Sequence, residues 1–273
     1  MSYLSRVRLK PEIRQSSQLA LLLTENSYGM HRLLWDLFPG RDGQQRDFLF
    51  REERENEQGG SKHQPIFYLL SPEPPLQDSP LFQVDTKPFC PQLEEGDQLA
   101  FRLRANPVIS RKTEGKKRSV PHDVVMDAQQ QCLHTLCLSA DIPPPKGKGD
   151  KQQALKALPK EQLQAALNSS ALPDEIRSVA EALEWSVRQA QIGWISGKRA
   201  ERNGYLIERP DNLRISGYQW RTLNEKRRNA GFSSLDYEGV LTVTDPERFV
   251  QTLNSGIGKA RAFGCGLMLI RRC

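Results

Sequence analysis

Long apolar runs are missing from this chain. Nowhere do about 18 apolar residues follow one another, so no segment reads as a membrane-spanning helix. The opening Met1-Ser2-Tyr3-Leu4-Ser5-Arg6 has no apolar core of the kind a secretory leader needs. Cysteine is scarce: Cys90, Cys132, Cys137, Cys265 and Cys273 make an odd total of 5 with no C-x-x-C pair, which argues against a disulfide framework or a structural zinc site. Cys132, His134 and Cys137 lie close in sequence, but a spacing of five on a helix turns the two sulfurs about 140° apart, so they read as ordinary helix residues. No Gly-Lys-Ser/Thr marks a P-loop. No cluster of Asp, Glu and His suits a two-metal site. The expectation is a cytoplasmic protein with reduced thiols, no membrane attachment, no metal and no small-molecule cofactor.

Basic charge is what the chain does have. The net charge of +6 favours an anionic partner, and it is gathered in knots: Arg111-Lys112, Lys116-Lys117-Arg118, Lys198-Arg199 and Lys226-Arg227-Arg228. Any one knot reads as a solvated loop; four of them turn the reading toward nucleic acid. Near the C-terminus, Gly256-Ile257-Gly258-Lys259-Ala260-Arg261-Ala262-Phe263-Gly264-Cys265-Gly266 brackets two cations with glycines. Glycine removes the side-chain wall, so backbone N–H groups can approach a phosphate while Lys259 and Arg261 add charge. The loop is not a dinucleotide fingerprint, which needs a third glycine where Arg261 stands and the opposite order of strand and helix. The alternative is a glycine-rich turn without a ligand.

Tyr3 to Lys10 alternates as a strand with Leu4, Arg6, Arg8 and Lys10 on one face. A helix is predicted from Ser27 to Phe38, stopped by Pro39-Gly40, then strands over Asp47 to Glu53 and Ile66 to Ser71. Pro72 to Pro91 is proline-rich and reads as holding a short helix. Leu99 to Asn106 is a strand with Phe101, Leu103 and Ala105 on one face and Arg102, Arg104 and Asn106 on the other. That order, β-α-β-β-(α)-β, is ferredoxin-like, and its first and last strands are neighbours, which would set Arg6 and Arg8 beside Arg102 and Arg104. Arg111 to Arg118 reads as a basic loop linking two halves. Helices are predicted over Asp123 to Ser139 and Asp174 to Ile192, with a loose insertion from Asp141 to Leu172 holding a short helix at Lys160 to Asn168. Tyr205 to Ile207, Leu213 to Tyr218 and Leu235 to Thr244 read as strands. A helix opening at Asp245-Pro246-Glu247 leads to the glycine loop and a last strand, Leu267 to Ile270.

On a helical wheel Met30, Leu33, Leu34, Leu37 and Phe38 form a core stripe, and Tyr28, His31 and Trp35 sit on its flank. Tyr28 and His31, three apart, are neighbours. One reading of His31 is a boundary histidine held by a hydrogen bond. The other is acid–base chemistry, because imidazole titrates near neutrality. RNA supplies its own nucleophile, the ribose 2′-OH. Cleavage then needs a base, an acid for the leaving 5′-oxygen and cations for the phosphorane, with no metal required. His63, His122 and His134 read as structural.

Tyr28-x-x-His31-x-x-Leu34-Trp35-x-Leu37-Phe38, Phe101-Arg102-Leu103-Arg104-Ala105-Asn106-Pro107 and the glycine loop, in that order, resemble the Cascade-type (subtype I-E) CRISPR repeat-RNA endoribonucleases, the CasE family. So do Tyr3 to Val7, Arg46 to Phe50 and Phe232 to Thr244. The resemblance implies an α+β fold of two tandem ferredoxin-like (RRM-like) domains with a helical insertion in the second: residues 1–108, a linker at 109–121, and 122–273 with the insertion at about 141–172 and the loop at 256–266. It implies metal-independent cleavage of precursor CRISPR RNA at the base of the repeat hairpin, leaving 2′,3′-cyclic phosphate and 5′-hydroxyl ends. Retention of the product as a subunit of Cascade, beside its other subunits, is also implied. His31 stands at the family's catalytic histidine and Tyr28 at its assisting tyrosine. Arg102, Arg104, Arg111, Lys112, Lys116, Lys117, Arg118, Gly256, Gly258, Lys259 and Arg261 are the candidate RNA contacts. The chain departs from the family pattern inside the loop, at Lys259-Ala260-Arg261, and in the insertion. A non-cleaving RNA-hairpin-binding subunit, a general basic structural protein and a metal nuclease remain the rival readings.

Overall fold

A computed structural model describes residues 1–11, 33–39, 47–54, 65–112, 119–222 and 231–273. Tyr28 and His31, and with them Lys116, Lys117 and Arg118, lie outside the described residues. The fold is mixed α/β with antiparallel sheets, and it divides into two compact units, residues 1–107 with 198–273, and residues 108–197.

The larger unit holds two sheets. In the first, β1 (Ser2–Leu9) is central, flanked by β3 (Pro65–Ser71) and β4 (Phe82–Phe89), with β2 (Leu49–Arg54) outside β3, giving the order β2-β3-β1-β4. The alternation of β1 works as expected: Ser5, Val7 and Leu9 are buried, and Val7 sits opposite both Phe67 and Val84. Leu34, Leu37 and Phe38 cover that face, so the core stripe of the 33–38 segment is where the wheel puts it, with helical Leu33–Trp35 ending in a turn before Pro39. The helix expected within Pro72 to Pro91 is instead β4. Proline is compatible with this strand because Pro88 lies on the sheet edge, where a missing N–H is tolerated.

In the second sheet, β5 (Gln98–Ala105) lies between β10 (Gly231–Val243) and β11 (Met268–Arg272), and β10 also pairs with β8 (Tyr205–Leu206) and β9 (Arg214–Thr222). The 98–105 strand therefore does not neighbour β1, and the expected alignment of Arg6 and Arg8 with Arg102 and Arg104 is wrong. Arg6 and Arg8 instead meet Asp85 of β4, at 3.0 and 3.5 Å. Alternation alone cannot say which sheet a strand joins, because both faces of β5 find partners in either arrangement.

The smaller unit opens with a two-stranded ribbon, β6 (Val108–Arg111) and β7 (Val120–Asp123), where a linker loop was expected; Val108, Ile109 and Val120 are β-branched and pair readily. Helix α1 (Val124–Ser139) begins with Asp123 accepting from the Met126 N–H at 2.7 Å. Helices α2 (Lys148–Lys156) and α3 (Lys160–Ser169) occupy the expected loose insertion, and their Leu155 and Leu167 are buried with Leu133 and Leu136 of α1. The apolar residues there are few but helically spaced, enough to dock two short helices. Helix α4 (Val179–Ile195), capped by Ser178, completes the unit. In the larger unit α5 (Lys198–Arg202) and α6 (Pro246–Ser255) follow, α6 with the expected Asp245 cap at 3.0 Å. Among the described residues no helix is long and apolar enough to cross a membrane.

Candidate RNA-processing site

The glycine loop runs from the end of α6 to β11 and lies at the end of β5, where Asn106 bridges to Lys259. Its backbone is left-handed at Gly256, Gly258, Ala260, Gly264 and Gly266, with φ of 76°, 86°, 57°, 80° and 94°. The glycines serve packing first. A Cβ on Gly256 would stand 2.9 Å from both Leu49 methyls, one on Gly264 3.2 Å from the Phe50 ring, and one on Gly266 3.1 Å from the Ile257 carbonyl. Gly256 donates its N–H to the Thr252 carbonyl and Gly266 donates to the Arg104 carbonyl, so neither N–H is spare for a phosphate. What the loop offers outward is Gly258 with the exposed Lys259 and Arg261, Arg261 being steadied by a hydrogen bond from its Nε to the Gly258 carbonyl at 3.2 Å.

The same contacts join the loop to the first sheet. Phe38 stacks on Phe48 at 5.0 Å and Trp35 tilts against it at 5.8 Å; Phe48 meets Phe50 at 6.4 Å, and Phe50 meets Gly264. An unbroken run of aromatic contacts thus leads from the segment that follows His31 to the glycine loop.

Arg104 is committed elsewhere than expected. It forks onto Asp236, with Nε to Oδ1 at 3.0 Å and Nη2 to Oδ2 at 3.0 Å, and donates from Nη1 to the Glu52 carbonyl at 3.1 Å. Burial works against its charge, yet the hydrogen bond and charge of Asp236 outweigh burial and hold the guanidinium above its ordinary pKa. Arg51, 2% exposed, reaches Asp236 at 3.2 Å and also pairs with Glu53. Removing the carboxylate would leave Arg104 without its ion-pair partner and Arg51 with Glu53 alone, a cost of about 3–5 kcal/mol. The sequence carries no mark of this cluster: Arg51 and Asp236 sit in ordinary alternating strands, and only the tertiary fold joins them. Cys265 is buried beside it, and burial pushes its thiol up to about 12 despite the cations around it.

Of the other candidates, Arg102 stays exposed beside Glu238 at 3.4 Å. Arg111 and Lys112 belong to the smaller unit. There Arg111 forks onto Asp127 at 2.6 Å through both nitrogens, and that hydrogen bond raises its pKa. The larger unit therefore presents Gly258, Lys259 and Arg261 outward on the loop and Arg102 outward on β5, and turns Arg104 inward.

The double-sheet α/β architecture is one already solved: the chain superimposes with TM-score 0.58 on the structure of Thermus thermophilus Cse3 bound to an RNA representing a pre-cleavage complex, at 22% identity over 99% of this chain and 98% of that one. That likeness is one of fold. The chain belongs to the family described as CRISPR associated protein, whose model matches residues 2–272. Among curated relatives it is 27% identical to the CRISPR system Cascade subunit CasE of Escherichia coli K12 over 241 residues, 88% of this chain and 89% of that one. It is 23% identical to the CRISPR-associated endoribonuclease Cse3 of Thermus thermophilus over 243 residues, 89% and 81%.

Proposed function

We propose that this protein is a metal-independent endoribonuclease that cuts precursor CRISPR RNA at the base of each repeat hairpin and stays on the product as a Cascade subunit. The observation that carries the reading is the aromatic run Trp35–Phe48–Phe50–Gly264, which links the segment directly after Tyr28 and His31 to the cationic glycine loop. The names of its curated relatives, a Cascade subunit and a CRISPR-associated endoribonuclease, support the same class of reaction.

In this reading the ribose 2′-OH passes its proton to a solvent water as its oxygen attacks the adjacent phosphorus. The bond from phosphorus to the 5′-oxygen breaks, and that oxygen takes a proton from His31, leaving a 2′,3′-cyclic phosphate and a 5′-hydroxyl. Tyr28 orients the 2′-OH or the phosphate. Lys259 and Arg261, with Gly258 letting the backbone close in, stabilise charge on the phosphorane. Arg102, Lys112, Lys116, Lys117 and Arg118 track the hairpin backbone, as positive surfaces do on A-form RNA. Arg104 acts from within through Asp236, and the exposed Arg111 is held in place by the buried Asp127.

The fold reading that accompanies this is a pair of ferredoxin-like repeats. The order β2-β3-β1-β4 in the first sheet and the order β11-β5-β10 in the second support it. The first repeat is then β1 to β4, the second starts at β5, and residues 108–197 are inserted into the second.

The test is incubation of labelled repeat RNA with the protein in EDTA. A single discrete cut supports the reading; binding without a cut supports a non-cleaving RNA-hairpin subunit instead.

A further inference from the structure

We infer that Asp236 is a positioning residue for the cleavage reaction, fixing the distance between the segment of residues 33–39, which follows His31 in the chain, and the glycine loop. The inference rests on the endoribonuclease reading. Asp236, on β10, holds two arginines from two different sheets. Arg51 belongs to β2, and Arg104 belongs to β5. Arg104 also grips the Glu52 carbonyl of β2, while its own carbonyl accepts the N–H of Gly266 at the end of the loop. A single carboxylate therefore ties β2, which continues from the Phe48 that Trp35 and Phe38 pack on, to β5, whose Arg104 carbonyl holds Gly266 of the loop.

Two further observations say that this contact is built rather than incidental. Gly217, with φ of +68°, approaches so closely that a Cβ would stand 3.1 Å from the Asp236 Oδ2. Arg51 is 2% exposed, so bulk water is a poor substitute for the carboxylates. Asp236 need not touch RNA to matter. A shift of about 1 Å between two groups that must act on one phosphate costs on the order of 100-fold in rate.

The test is single-turnover cleavage of the repeat RNA that co-purifies with the protein, resynthesised with a 5′ label, measuring rate constant, amplitude and hairpin affinity separately. Asp236→Asn is expected to lower the rate constant about 10- to 100-fold, with amplitude and affinity kept, and Asp236→Glu to recover part of the loss. A rate constant equal to wild type overturns the inference, and so does a fall in amplitude alone, which reports only fewer folded molecules. If Asp236→Asn does not fold, Gly217→Ala decides, because it keeps every charge and crowds the carboxylate: slower cleavage at full affinity supports positioning, and unchanged cleavage overturns it. Wild-type protein that leaves the RNA intact overturns the endoribonuclease reading itself, and this inference with it. A wild type that cuts beside an Asp236→Asn that cuts equally well overturns the inference alone.

Discussion

The two compact units tie their charges over very different sequence distances. In the sheet unit Arg104 meets Asp236 across 132 residues, whereas in the helical unit Arg111 meets Asp127 across 16. The helical unit is assembled from neighbours: a ribbon, then a capped helix, then two short helices that bury Leu155 and Leu167 against it. The sheet unit is assembled from the chain's two ends, so its loop and strands owe their spacing to residues that no local pattern connects. Chemistry that needs fixed distances falls in the second kind of region, and tolerance of change in the first.

That contrast can be broken or sharpened by substitution. The largest effect is expected at His31→Ala, which should slow cleavage about 10²–10⁴-fold while sparing hairpin binding, read by single-turnover kinetics and filter binding. Next, Leu155→Ala in the helical unit should cost about 2–5 kcal/mol of stability, measured by denaturant unfolding, yet leave the cleavage rate of the folded protein near wild type. A large loss of rate there would erase the distinction between the units. Gly264→Ala, in the loop, should cost about 1–3 kcal/mol because its methyl meets the Phe50 ring and its φ of 80° disfavours a side chain; unlike Leu155→Ala it should also slow cleavage. The smallest effect is expected from Glu238→Gln, since its partner Arg102 is 59% exposed and such a pair contributes about 0–1 kcal/mol; thermal unfolding should barely move. Thiol labelling gives a parallel check: Cys90 and Cys273 are exposed and should react in the native protein, while Cys265, buried with its thiol pushed up to about 12, should react only on unfolding.

Local features were legible in the sequence and long-range ones were not. The Asp245 cap, the helix start at Asp123, the core stripe of Leu34, Leu37 and Phe38, and the inward face of Phe101, Leu103 and Ala105 all follow from periodicity and capping chemistry, which act over a few residues. The partner of β5 was misread because a strand with one apolar face fits either sheet. The strand Phe82–Phe89 was hidden by prolines that an edge position tolerates. In the loop the glycines were conspicuous, but their reason was not: Gly256 and Gly264 make room for Leu49 and Phe50, about two hundred residues away in the chain. Asp236, the hub of the buried cluster, looked like any polar residue on a strand.

The most direct measurement is cleavage of 5′-labelled repeat RNA in EDTA, with the products' ends identified chemically. The account expects one cut at the base of the hairpin, a 2′,3′-cyclic phosphate on the upstream fragment, and its loss in His31→Ala. Cutting that requires a divalent metal, or that proceeds at the wild-type rate without the imidazole, would contradict it.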